Sequence, residues 1–210
     1  KDKDMLKLDR IYKKTSLNLL IASSFIFAMI MLNWDDLLNW VNPNPIYHLG
    51  KPVMFYLGLY QVIELGTGMN SAIIITSRRW KFELYSNILL LTLTLPLTYI
   101  LIKTHGMIGA ALATLISRTV FNVIRYIFLY KVYHLQPFTN KTILAVLLPI
   151  AVYPLVAYTI HLDNPFLGLV ARSAAFTAIY GVLLLQLKIS EDVMQVWGTI
   201  KKRTFAIIGR

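Results

Sequence analysis

In a chain that is 57% hydrophobic and only 15% charged, the side chains able to do chemistry are few, and several fall in register. Behind Ala111, the residues Thr114, Arg118, Asn122 and Arg125 recur at steps of four, four and three, so they share one face of a helix. Leu, Ile, Val and Phe fill the rest of that helix and can face lipid. Hydrocarbon cannot solvate a guanidinium, so the polar stripe must turn toward a protein interior or a watery cavity. Two arginines with an amide between them suit an anion, because the planar guanidinium fork matches phosphate oxygens. Arg125 has a second reading, as a side chain snorkelling to the headgroups. Arg118 also has one, as half of a structural ion pair.

Glu64 and Arg172 are the other ionisable residues at membrane depth, which makes each a candidate by the same reasoning. Glu64 lies near the midplane, as Arg118 does by residue count. It reads either as the partner that lowers the burial cost of Arg118 or as a carboxyl that carries a coupling proton. Gly66 and Gly68, just after it, either loosen the helix beside a site or allow close packing.

These residues need elements long enough to hold them in a bilayer. About 20 mostly apolar residues cross a hydrocarbon core of about 30 Å. Six stretches meet or approach that length: 16–32, 53–76, 84–102, 107–129, 142–160 and 166–187. The second is the weakest, because Gln61, Glu64, Gly66, Gly68 and Asn70 interrupt it. The expected fold is all-α, a polytopic membrane protein with six transmembrane helices in one bundle over residues 1–189. Residues 190–210 form a separate tail. Pro96, Pro149 and Pro154 are expected to kink the third and fifth spans.

The net charge of +11 first suggests nucleic acid, but its distribution excludes that partner. Of 21 basic residues, 16 fall in the amino-terminal stretch, in the loops after spans two and four, and in the tail. Only Lys51 and Lys103 lie on the opposite side, together with Asp35, Asp36 and Asp163. That asymmetry follows the positive-inside rule and places both termini in the cytoplasm. Trp34, Trp40, Tyr47 and Tyr99 then mark the outer interface, and Trp80, Tyr85, Tyr130 and Tyr133 the inner one.

In the tail, Ser190 can cap a helix whose first turn carries Glu191 and Asp192. Val193, Val196, Trp197, Ile200 and Ile207 share one face, as in a helix lying on the membrane surface; a plain solvated helix is the second reading. The chain contains no cysteine, which excludes thiol catalysis and Cys-based zinc sites. The four histidines have no ligand spacing, and no phosphate-binding, dinucleotide-binding or hydrolase motif occurs. Neither an enzyme nor a cofactor or metal is expected. The chain opens on Lys rather than Met, and is expected to be a segment of a longer protein or a processed one.

Several runs bear a resemblance. They are Gly68-Met69-Asn70, Ser77-Arg78-Arg79-Trp80-Lys81, and His105-Gly106-Met107-Ile108-Gly109-Ala110-Ala111-Leu112-Ala113-Thr114-Leu115-Ile116-Ser117. Together with the lead-in Asp9-Arg10-Ile11-Tyr12-Lys13-Lys14-Thr15-Ser16, they resemble the carboxy-terminal half of polysaccharide flippases. These are the Wzx-type oligosaccharide-lipid exporters of the multidrug/oligosaccharidyl-lipid/polysaccharide superfamily. The likeness covers residues 7–135 through these runs and the last two spans by hydropathy alone.

The resemblance implies two pseudo-symmetric bundles in the bacterial cytoplasmic (inner) membrane. Such proteins move an undecaprenyl-pyrophosphate-linked oligosaccharide from the inner to the outer leaflet for surface polysaccharide biosynthesis. Arg118, Arg125 and Arg172 would then attract the pyrophosphate or acidic sugars, with Asn122 and Thr114 as hydrogen-bonding lining. The amino-terminal bundle of the same chain would be the missing partner that completes the cavity. Two other classes stay open: a cation-coupled multidrug exporter of the same superfamily, and a non-transporting membrane subunit or enzyme of envelope biosynthesis.

Overall fold

The computed structural model describes residues 2–41 and 44–208, and the side chains of residues 4–41 and 44–199. Every regular element among them is helical. The order is α1 (Asp2–Val41), a 3-10 helix (Pro45–Gly50), α2 (Lys51–Thr67), α3 (Asn70–Thr76), α4 (Lys81–Tyr133), α5 (Asn140–Thr159), α6 (Pro165–Gln186) and α7 (Glu191–Ile208). Four of these, α1, α4, α5 and α6, are long and apolar enough to cross a bilayer.

Helix α1 extends well beyond the expected span 16–32 at both ends. No proline precedes Pro43 and no glycine precedes Gly50, so nothing in the chain stops the helix earlier. It is the central post of the bundle. Its residues Leu17, Leu20, Ile21, Ala28 and Leu32 pack against Leu148, Val152 and Val156 of α5 and Phe176, Tyr180 and Leu184 of α6. Those last two sets recur every four residues, one buried stripe per helix. The opposite faces of α5 and α6 carry exposed Ile143, Leu147, Ile150, Val170 and Val182, as helices bordering lipid should.

The expected second span, 53–76, is broken. Helix α2 ends at Thr67, and the chain turns through Gly68 before the short α3. Gly68 adopts φ 61°, and a Cβ there would collide with Ser16 of α1. Both the left-handed backbone and the close approach demand glycine. At 17 residues, about 25 Å, α2 alone is shorter than a hydrocarbon core of about 30 Å.

Helix α4 is a hairpin rather than a rod. Phe82 stacks on Phe128 with ring centroids 3.7 Å apart, and Glu83 is ion-paired with Arg125. In a straight helix, residues 42 apart would be separated by about 63 Å. The reversal sits at Gly106, at φ 58° and ψ −135°, and a Cβ on nearby Gly109 would collide with the Leu101 carbonyl. The two arms, 81–105 and 107–133, therefore run antiparallel, each about 40 Å long and enough to cross a bilayer.

Contacts between elements bring the basic segments to one end. Tyr12 of α1 donates a hydrogen bond to Asn70 of α3, and Ser71 donates to Glu83 at 2.8 Å. Lys14 is paired with Asp192 at the start of α7. The hairpin sets Trp80 and Tyr85 beside Tyr130 and Lys131 at that end, all exposed. At the opposite end Asp35 pairs with Lys51, and Asp36 with Arg172. In the tail, Ser190 donates to Asn18 at 2.6 Å and accepts from the Val193 N–H, so the start of α7 is docked on α1. Val196 and Trp197 are exposed, while the side chains of Ile200 and Ile207 lie outside the described residues.

Candidate functional site

The second arm of α4 carries the polar stripe, and the fold turns that stripe inward. Ala111, Asn122 and Arg125 are buried, whereas Ile116, Val120, Val123 and Ile127 on the other face are exposed. The small residues Gly109, Ala111 and Ala113 allow the two arms to approach closely near the turn. Further along, the arms part around a cleft of about 450 Å3. Asn87, Thr94, Thr114, Ser117 and Arg118 supply its polar lining, and Leu90 and Leu91 its apolar wall.

Arg118 and Glu64 face each other across this region at 3.8 Å. That separation allows Coulomb attraction but is too long for a hydrogen bond. The Arg118 side chain keeps 42% of its exposure and that of Glu64 keeps 33%. Arg118 makes no hydrogen bond among the described residues, so its five N–H donors remain open to a ligand. Thr114 donates its hydroxyl to the Ala110 carbonyl at 3.0 Å, leaving oxygen lone pairs toward the cleft it lines.

One and two turns further toward the basic end the stripe meets packed protein. Asn122 is buried, with its amide nitrogen unpaired among the described residues. Arg125 is held by Glu83 and lies over the Phe121 ring at 3.8 Å from its centroid. Both side chains of this pair keep only 8% exposure. Arg125 therefore neither snorkels to the headgroups nor lines the cleft. Its charge is matched by a carboxylate on the facing arm, which itself accepts a bond from Ser71. A polar seam thus continues from the cleft through Ser117 and Asn122 to the Glu83–Arg125 pair. Ser117 Oγ, Glu83 Oε2 and Arg125 Nε carry no hydrogen bond among the described residues.

Arg172 lies elsewhere. It donates from Nη1 to Asp36 at 2.6 Å and from Nε to the Ile160 carbonyl at the end of α5, 2.9 Å away. Gly168, one turn earlier on α6, leaves room for that Asp36 carboxylate. Arg172 is thus a tie between α1, α5 and α6, with two of its five N–H donors committed to those contacts. Of the six residues singled out from sequence, Arg118 and Thr114 line one cleft with Glu64 beside them. Asn122 and Arg125 sit in the adjoining interior, and Arg172 is in a separate cluster.

Glu83, Asn87, Thr94 and Ser117 were not singled out from sequence. The signal for them is the hairpin register, in which positions equidistant from residue 105 face one another. Asn87 and Thr94 share a helical face with Glu83, and that face meets the stripe.

Chemically, the cleft offers a guanidinium loosely paired with Glu64, hydroxyls and an amide, a set that binds anions through N–H and O–H donors. Among the described residues no group of three His, Asp or Glu side chains gathers to hold a metal ion. Comparison of the chain with models of protein families, with curated proteins and with solved structures gives no match.

Proposed function

We propose that the chain is the carboxy-terminal half of a transporter that moves a lipid-linked oligosaccharide across the bacterial cytoplasmic membrane. In this reading the bundle makes six crossings: α1, the broken pair α2–α3, the two arms of α4, α5 and α6. Its basic end and both termini face the cytoplasm, and a second bundle opposes the face that carries the α4 cleft. Arg118 attracts the diphosphate of the carrier lipid, while Thr114 and Asn87 offer hydrogen bonds to phosphate or sugar oxygens. The single observation that carries the proposal is Arg118 itself. It is a guanidinium on an apolar helix long enough to span a bilayer, at the lining of the α4 cleft and without a hydrogen bond among the described residues.

The test is surface polysaccharide export by the full-length transporter carrying Arg118→Ala. Two charge-assisted bonds contribute about 3–6 kcal/mol, so the loss should lower export by about two to four orders of magnitude. Membrane insertion should be unchanged. Arg118→Lys keeps the charge but not the fork, and should retain partial export. Export at the parental level with alanine refutes the assignment.

A second reading rests on Glu64, whose carboxylate is a third exposed beside the same arginine. In a cation-coupled exporter it would carry the coupling proton. Glu64→Gln would then abolish transport of a lipophilic cation, a substrate for which the flippase reading has no role.

A further inference from the structure

At the basic end, α1, the start of α5 and the start of α7 enclose a cleft of about 1030 Å3. Arg10, Lys13, Lys14 and Lys141 line it, together with Asp9 and Glu191. Lys13 is neutralised by Asp9 and Lys14 by Asp192, each at 2.6 Å. Arg10 and Lys141 are exposed and have neither an ion pair nor a hydrogen bond among the described residues. Glu191 is the acid of this cleft without such a pairing, so the two free cations outnumber it. Buried Leu17 and Ile189 give the cleft an apolar floor.

This cleft does not end at the water boundary. It shares Thr139 and Asn140 with an apolar recess of about 450 Å3 on the outer face of α5, where Ile143, Val146 and Leu147 are exposed. Val146 also borders a groove of about 360 Å3 between α1, α2 and α5, walled by Phe27, Phe55, Ile150 and Tyr153. Along α5 the track from Asn140 to Tyr153 is about 20 Å long. Half of a hydrocarbon core is about 15 Å, so the apolar part reaches through one leaflet.

We infer that this track is a binding site for an anionic phospholipid of the leaflet at the basic end. The phosphate would sit between Arg10 and Lys141, and the acyl chains would follow the Ile143–Val146–Ile150 stripe. Charge and shape agree only for an amphiphile. A free anion would leave the recess unused, and an uncharged lipid would leave the cations unused. Basic pockets between membrane helices take anionic headgroups for this reason. The site lies away from the α4 cleft and does not depend on the transport reading.

The full chain, purified in neutral detergent, is exposed to phosphatidylglycerol and phosphatidylcholine mixed in equal amounts, and retained lipid is counted by native mass spectrometry. Phosphatidylglycerol should be retained in preference. Arg10→Ala with Lys141→Ala should lower that preference about 25-fold, at about fivefold per basic side chain at a membrane surface. The conservative pair Arg10→Lys with Lys141→Arg should keep it. Arg78→Ala with Arg79→Ala removes as much exposed charge from the same end and should leave it unchanged. Val146→Trp, at the junction of recess and groove, should reduce retention of long-chain phosphatidylglycerol. Equal retention of the two lipids overturns the site. So does a loss in the Arg78/Arg79 variant as large as in the Arg10/Lys141 variant, or full retention by Val146→Trp.

Discussion

The Glu83–Arg125 pair joins the two arms of α4 with both side chains only 8% exposed, which makes a double-mutant cycle informative. Arg125→Met removes the cation and leaves the Glu83 carboxylate with the Ser71 hydroxyl, 2.8 Å away, as its remaining partner. Glu83→Leu leaves Arg125 over the Phe121 ring at 3.8 Å, a cation–π contact that offsets at most about 2 kcal/mol of the loss. Stranding one member of a buried pair costs about 3–5 kcal/mol, so each single variant should be destabilised by that order, Glu83→Leu somewhat less. Replacing both members together removes the desolvation cost along with the attraction. The double variant should lie within about 1 kcal/mol of the parent, a coupling of at least about 3 kcal/mol. Equilibrium unfolding in mixed micelles, followed by far-UV circular dichroism, gives the four free energies. Single variants destabilised by less than about 1 kcal/mol, or energies that simply add, would refute a buried inter-arm pair. The Arg118→Ala protein belongs in the same series. Its side chain is 42% exposed, so its stability should change by less than about 1 kcal/mol.

The chain has no cysteine, so Phe82→Cys with Phe128→Cys should link through a short bifunctional thiol reagent, while Phe82→Cys with Met107→Cys should not. Failure of the first pair to link would mean that the arms do not fold back at Gly106, since a straight helix holds those positions about 69 Å apart. Gly68→Ala should destabilise by more than about 1 kcal/mol, because it strains a positive φ and meets Ser16. Gly181→Ala, in open space on α6, should stabilise by about 0.5–1 kcal/mol; equal effects at both sites would contradict the turn geometry. The Lys14 hydrogen bond holds the Asp192 carboxyl below its usual range. A depressed value means that the docking of α7 is present above the ordinary aspartate pKa and lost as pH falls through the lowered one. Amide exchange over residues 190–199 should therefore rise in acid, and Asp192→Asn should produce the same rise at neutral pH.

What the sequence made legible was local or one-dimensional. The inward turn of Thr114, Arg118, Asn122 and Arg125 follows from a helical period and the insolubility of guanidinium in hydrocarbon. Both are present within a dozen residues. The gathering of basic residues at one end follows from counting loops. What was not legible depends on contacts between distant segments. Arg172 finds Asp36 across 136 positions and Arg125 finds Glu83 across 42. Neither acid stands out in the chain, because each lies at the margin of an apolar run where charge is ordinary. The length of α1 exceeds its apolar stretch because hydropathy marks where lipid begins, whereas a helix ends only where a residue stops it. The break at Gly68 was weakly visible as a run of polar and small residues, but the fold assigns its cause to the approach of Ser16.

The three arginines within the apolar stretches differ in how firmly each is already held, and this orders their availability to an anion. Arg172 has one oxygen of a carboxylate at 2.6 Å and a main-chain carbonyl at 2.9 Å, so its counter-charge and two of its five donors are already engaged. Arg125 is enclosed with its counter-charge, and separating that pair costs about 3–5 kcal/mol. Arg118 stands 3.8 Å from Glu64 with solvent reaching both groups, an arrangement worth about 0.2–1 kcal/mol. An anion entering the α4 cleft would therefore compete against about 1 kcal/mol at Arg118 and several times that at Arg125. Glu64 keeps Arg118 oriented while the cleft is empty and gives it up at small cost. Neutralising Glu64 should for that reason tighten anion binding at Arg118, whereas neutralising Glu83 or Asp36 should loosen the fold.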